Sequence, residues 1–156
     1  MAKEIERKFL VDIFKLPTLP KGKVIKQGYI PTAGTATVRA RISDDQAFLT
    51  LKGKATGLTR SEFEYPVPLE DAQNILNELC SHPFIEKTRY LIPYGDHIWE
   101  LDIFEGENEG LIVAEIELEN EDEIFEKPAW VTQEVSDDTR YRNSNLITHP
   151  FKKWDQ

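Results

Sequence analysis

The sequence predicts a mainly β, α+β fold: an eight-stranded antiparallel barrel closed on itself, with a few flanking helices. Three observations point there. Eight segments alternate side-chain character with the period of two that a strand imposes. Most of them are joined by short turn-forming segments. Only one stretch clearly repeats its apolar residues at helical spacing. The 156 residues suffice for one hydrophobic core, and no linker, repeat or low-complexity run divides them, so a single domain over 1–156 is expected.

The elements follow in order. Residues 4–10 set Glu4, Glu6 and Lys8 on one face and Ile5, Arg7 and Phe9 on the other. Residues 23–30 place Lys26 and Gly28 opposite Gln27 and Tyr29. In 37–43, Arg39 and Arg41 oppose Val38, Ala40 and Ile42; in 48–53, Thr50 and Lys52 oppose Leu49 and Leu51. Residues 60–67 set Arg60, Glu62 and Glu64 against Ser61, Phe63 and Tyr65. The helix covers 69–79, where Leu69, Ala72, Ile75, Leu76 and Leu79 form one stripe and Glu70 and Asp71 suit the positive N-terminal end. Strand 85–92 carries Lys87 and Arg89 on one face. Strand 97–104 sets Glu100 and Asp102 against Trp99, Leu101 and Ile103. Strand 111–119 sets Glu115, Glu117 and Glu119 against Ile112, Ala114, Ile116 and Leu118. Pro31-Thr32-Ala33-Gly34, Ser43-Asp44-Asp45-Gln46 and Pro93-Tyr94-Gly95-Asp96 supply turn chemistry. Two weaker helical pieces are expected at 121–125 and 139–147.

A half-buried strand normally turns an apolar face inward and a mixed polar face to water. These polar rows instead carry pairs and triplets of full charges, Arg-x-Arg, Lys-x-Arg, Glu-x-Glu and Glu-x-Asp, on nearly every strand. An eight-stranded barrel has an interior wide enough for side chains or one small ligand. Charged rows pointing inward would be costly unless paired or filled by a ligand and metal. Arginine and lysine suit phosphate oxygens, and clustered carboxylates suit a hard cation such as magnesium or manganese. Together they describe a metal-bound polyphosphate.

The remaining features narrow the class. A formal net charge of −9 argues against a general nucleic-acid binder. No apolar run approaches the roughly 20 residues of a membrane helix, and residues 3–6 have no signal-peptide character, so a cytoplasmic protein without a membrane partner is expected. Cys80 stands alone, which excludes an internal disulfide or thiolate cluster and suits a small buried side chain. His82, His97 and His149 form no site by spacing, Trp130 and Trp154 suit packing, and the acidic run from Glu119 to Glu123 suits a solvated helix start.

Glu4-Ile5-Glu6-Arg7-Lys8 matches a Glu-x-Glu-x-Lys signature, and further blocks follow in order: Arg39-Ala40-Arg41, Leu49-Thr50-Leu51-Lys52, Arg60-Ser61-Glu62-Phe63-Glu64, Lys87-Thr88-Arg89-Tyr90, Glu100-Leu101-Asp102-Ile103-Phe104, Glu115-Ile116-Glu117 and Asp138-Thr139-Arg140-Tyr141-Arg142-Asn143. In this order the chain resembles the CYTH superfamily, the triphosphate tunnel metalloenzymes, and its short form resembles the bacterial inorganic triphosphatases. The resemblance implies an eight-stranded tunnel that hydrolyses tripolyphosphate with Mg²⁺ or Mn²⁺. Adenylate cyclase, thiamine or nucleoside triphosphatase and a non-catalytic polyphosphate binder are the alternatives. It implies phosphate contacts from Lys8, Arg39, Arg41, Lys52, Lys87 and Arg89, with Arg60 evenly balanced between site and surface. Glu4, Glu6, Glu115 and Glu117 are the expected metal ligands; Glu62, Glu64, Glu100 and Asp102 orient the cations or hold a second metal. Lys8 acts near the leaving or transferred group, and Tyr29, in a Gln-Gly-Tyr segment, assists or gates, though parity alone does not settle which way it points. Arg7 faces away, Glu119 is solvated, and Arg140 and Arg142 reach either the tunnel mouth or the surface. The implied partner is a small triphosphate, and a homodimer is left open.

Overall fold

The structure, a computed structural model, describes residues 3–154. Alternation becomes strands β1 (Lys3–Val11), β2 (Lys23–Ile30), β3 (Ala36–Ser43), β4 (Gln46–Gly53) and β5 (Thr59–Pro66), helix α1 (Leu69–Leu79), then β6 (Ile85–Tyr94), β7 (His97–Glu105) and β8 (Ile112–Glu117). A short strand β9 (Val131–Glu134) and helix α2 (Asn143–Thr148) complete the regular elements. All pairings are antiparallel in the order β5-β4-β3-β2-β6-β7-β8-β1, and β1 returns to β5 to close the barrel. The closure uses only the start of β1, where Lys3 to Ile5 lie opposite Ser61 to Thr59. Further along the same strand β9 takes that edge, with Phe9 opposite Glu134. Between them β1 changes neighbours, and the Lys8 backbone bonds to the segment after β9, its N–H donating to Ser136 Oγ and its carbonyl accepting from the Val135 N–H.

The expected turns are tighter than the tetrapeptides suggest. Asp44 and Asp45 alone join β3 to β4, with Asp44 at φ 53°, and Gly95 and Asp96 alone join β6 to β7, with Gly95 at φ 62°. Pro93 and Tyr94 belong to the strand. A positive φ at the first turn residue suits glycine and, less readily, aspartate.

The charged rows point inward and most apolar rows outward, where they find cover. Helix α1 lies across the outside of β2 to β4, with Leu76 and Cys80, the residue that ends it, buried against Ala40. Gly28 permits this approach, since a β-carbon there would meet the Leu76 and Cys80 side chains at 2.9 and 3.0 Å. The buried stripe is narrower than the predicted one: Leu69 and Leu79 are exposed. On the opposite wall Phe9, Trp99, Leu101, Ala114 and Ile116 pack with Leu118, Trp130 and Val131. Phe125 closes over Phe9 and Trp99 with edge-to-face ring contacts.

The expected helix at 121–125 is absent. That segment is a turn followed by irregular chain, because Phe125 must reach the Phe9–Trp99 surface and Glu123 turns back to accept from the Glu119 backbone N–H and contact His97. The expected helix at 139–147 splits into a 3-10 turn at Thr139–Tyr141 and α2. Asp138 starts the turn by accepting from the Arg140 N–H. Strand β9 was not legible, since four residues carry too short an alternation. Among the described residues no helix is long and apolar enough to cross a membrane.

Candidate active site

The inward rows enclose a cavity of about 280 Å³. Register explains why one side chain from so many strands reaches it. Glu4 lies opposite Arg60, Glu6 opposite Glu117 and Lys8 opposite Glu115. Glu115 lies opposite Glu100, and Asp102 opposite Arg89. Tyr29 faces Arg39 across the β2–β3 pair, and Gln27 faces Arg41. Opposed residues share a face, so Tyr29 turns inward and Lys26 outward, where its ammonium sits over the Phe84 ring.

Every predicted phosphate-binding side chain lines this cavity: Lys8, Arg39, Arg41, Lys52, Arg60, Lys87 and Arg89. Their partners differ. Lys52 is held by Glu4 at 3.0 Å and Glu62 at 3.4 Å. Arg39 meets Glu64 and the Thr50 hydroxyl, while its buried Nε has no hydrogen-bond partner among the described residues. Lys8 lies 3.5 Å from Glu115 and donates to the Tyr141 carbonyl. Arg60 donates to the Gly53 carbonyl and the Thr37 hydroxyl. Arg41 donates to the Gln27 carbonyl oxygen at 2.7 Å. Burial, with Arg39 and Arg89 nearby, lowers its pKa to about 10.

Asp102 is fully buried and does not line the cavity; its oxygens are taken by Arg89 at 2.8 and 2.9 Å and by Lys87 at 2.7 Å. Burial works to raise its pKa, but those two cations outweigh it and hold the carboxyl below its usual range. Its position suits orienting the cations. Lys87 is 1% exposed, and burial brings its pKa down to about 7 despite Asp102.

The carboxylates separate into two groups. Oxygens of Glu6, Glu100 and Glu115 lie within 4.8 Å of one another. Burial, then Glu115 and Glu4, push Glu6 well above the ordinary carboxylate range. Glu115 is driven the other way: burial opposes ionisation, but Lys8, a hydrogen bond with Glu6 and Arg89 hold it well below that range. Three crowded oxygen donors, one reluctant to ionise, fit a hard divalent cation. Glu4 is engaged by Lys52, and Glu117, though it borders the cavity, is exposed. Of the four expected metal ligands, Glu6 and Glu115 converge in this fold, and Glu100, expected as a supporting or second-metal residue, joins them.

Two polar residues escaped the sequence reading as site residues. Asn143, at the start of α2, accepts from Lys87 and Gln27; Gln27 is itself fully buried. No spacing signal pairs residues 116 positions apart. Arg142 is exposed but lines the cavity, whereas Arg140 pairs with Asp138 on the surface and lies over Trp154.

The chain is similar to known proteins over nearly its whole length. The sequence is 47% identical over 154 residues to an inorganic triphosphatase of Acetivibrio thermocellus, covering 99% of both chains. It is 36% identical over 152 residues to an inorganic triphosphatase of Nitrosomonas europaea, covering 92% of this chain and 95% of that protein. A crystal structure of an inorganic triphosphatase superposes with a TM-score of 0.67 at 33% identity, covering 94% of this chain and 95% of the other. The CYTH domain pattern matches residues 2–148, and with this extent of match the chain belongs to the CYTH domain family.

Proposed function

We propose that this protein is an inorganic triphosphatase, cleaving tripolyphosphate with water to give orthophosphate and pyrophosphate inside the barrel. The observation that carries the reading is the guanidinium of Arg41. It lies among Arg39 and Arg89, and its hydrogen bond goes to a neutral amide. Such a cluster of cations in a confined, low-dielectric cavity is stabilised by a polyanion.

The cations divide the work. Arg39, Arg41, Arg89, Lys52 and Lys87 hold and orient phosphate oxygens, and Lys8, beside Glu115, meets the transferred group. Glu62 and Glu64 keep Lys52 and Arg39 in place, as Asp102 does for Arg89 and Lys87. Arg60 contributes from the cavity wall. Tyr29 offers a hydroxyl to the substrate. Glu6, Glu100 and Glu115 would hold the cation, magnesium or manganese. When bound, that ion supplies charge neutralisation on the phosphates and a more acidic bound water. Phosphoryl transfer needs little else beyond in-line positioning and electrostatic stabilisation. A cytoplasmic setting belongs to this reading, and the lone buried thiol of Cys80 is at home in a reducing compartment.

Incubation with tripolyphosphate, ATP, thiamine triphosphate or pyrophosphate, with Mg²⁺, Mn²⁺ or a chelator, tests it. Orthophosphate release should be fastest from tripolyphosphate and should stop with the chelator. Metal-dependent binding without phosphate release, or conversion of ATP to cyclic AMP, would overturn the reading.

A further inference from the structure

Gln27 is fully buried and is not among the residues lining the cavity, yet its side-chain amide touches three groups of the site. Arg41 Nε lies 2.7 Å from its Oε1. Its Nε2 lies 3.1 Å from the Tyr29 hydroxyl and 3.1 Å from Asn143 Oδ1. Asn143 Oδ1 is in turn 2.9 Å from Lys87 Nζ.

The guanidinium end of this relay fixes every orientation within it. A guanidinium only donates, so the Gln27 oxygen must face Arg41. With its oxygen committed to Arg41, the Gln27 amide nitrogen donates to Asn143, so the Asn143 oxygen faces both Gln27 and Lys87 whatever the charge on Lys87. Both amide protons of Gln27 are then directed, one to Asn143 and one to Tyr29. The Tyr29 oxygen is therefore an acceptor toward the protein. Its own O–H has no protein acceptor among the hydrogen bonds of the described residues, and the side chain lines the cavity.

We propose that Gln27 is a positioning residue that fixes Tyr29 as a hydrogen-bond donor to the substrate rather than as a proton acceptor. This rests on the triphosphatase reading. Gln27 never touches substrate; it acts by setting the direction of the Tyr29 hydroxyl and the pose of Arg41.

The substitution Gln27→Glu isolates direction from packing. The carboxylate keeps the contact to Arg41 and nearly the same volume, but it faces Tyr29 and Asn143 as an acceptor, so the Tyr29 hydroxyl donates to it and Asn143 turns its amide N–H toward it. Turnover of tripolyphosphate with Mg²⁺ should fall about 10- to 100-fold for Gln27→Glu and for Tyr29→Phe, the range expected for removing one aimed donor. KM should move less than about threefold in each, since the lost bond strengthens as charge develops. Introducing Gln27→Glu into Tyr29→Phe should cost less than about twofold more, because the donor is already gone.

Equal losses for Gln27→Glu in the presence and absence of the Tyr29 hydroxyl would overturn the proposal and leave a structural role. Wild-type turnover by Gln27→Glu would overturn it as well. If the wild-type protein itself releases no phosphate, the hydrolase reading fails instead. The same cycle is then read on the Kd for tripolyphosphate by calorimetry, where coupling between the two positions supports the proposal and additivity overturns it.

Discussion

The two ends of the barrel interior are built from the same strands and the same inward-facing rows, but they differ completely in chemistry. Along β1 the row runs Glu4, Glu6, Lys8 and then Leu10; along β8 it runs Glu117, Glu115 and then Val113. On β7, Glu100 and Asp102 give way to Phe104, and on β6, Arg89 and Lys87 give way to Ile85. At the apolar end Ile85, Phe104 and Val113 pack with Leu146, Ile147 and Trp154 of the C-terminal segment. The interior is thus a charged cup on an apolar floor, and α2 is part of the floor. At the charged end the rows pair largely with one another, and each of these four strands changes character within one inward step.

The largest effect should come from breaking the charged end at the corner where Glu6, Glu100 and Glu115 converge. Glu6→Gln should lower tripolyphosphate hydrolysis by about 100- to 1,000-fold, comparable to removing a principal electrostatic stabiliser. The melting temperature of the ligand-free protein should hold or rise, because burial and Glu115 already oppose ionisation of Glu6. Glu117→Gln, on the same wall but exposed, should change the rate less than about fivefold. Steady-state kinetics on the two variants distinguishes the converging trio from the sequence pattern. Similar losses in both would return Glu117 to the metal site, and near-normal activity in Glu6→Gln would remove Glu6 from it.

Much of this contrast was legible beforehand, and what was not has identifiable causes. Parity put Glu4, Glu6, Lys8, Arg39, Arg41, Lys52, Lys87 and Arg89 on shared faces because a strand's period of two depends on nothing beyond the backbone. Distances between strands depend on register, which parity does not contain. Glu6, Glu100 and Glu115 meet because β1, β8 and β7 are adjacent and in step. Tyr29 could not be oriented until β2 was placed against β3, since Lys26 offers a competing charged face. The floor was missed because Leu146, Ile147 and Trp154 enter the barrel from a segment of short helices and turns, whose apolar residues read as a tail.

Breaking the floor should cost stability before it costs chemistry. Leu146 is fully buried, and Leu146→Ala should destabilise the protein by about 2–5 kcal/mol, the usual range for a leucine cavity. Denaturant or thermal unfolding measures this directly. Activity should fall by a smaller factor, through looser seating of Asn143 against Lys87 and Gln27. A variant with unchanged stability would show that α2 rests on the barrel without supporting it.

The smallest effect lies at the boundary between the two ends. Lys87 stands opposite Phe104 in register, with its ammonium 5.3 Å from that ring, and reaches upward to Asp102. Burial lowers its pKa to about 7 in the ligand-free fold, against about 10.4 in an unfolded chain. Across that interval the unfolded state binds the extra proton, so this residue makes stability increase as pH rises from about 7 toward 10. An arriving triphosphate adds negative charge beside it and should raise its pKa again. At pH 8, binding of tripolyphosphate without metal should therefore take up a fraction of a proton, at most about one. Calorimetry in two buffers of different ionisation enthalpy reads that number. Lys87→Met should abolish the uptake attributable to the protein while leaving the ligand's own protonation unchanged. An identical proton count in both proteins would mean that Lys87 is already charged before substrate arrives. The boundary between cup and floor would then be set by the Asp102 pair alone rather than by the ligand.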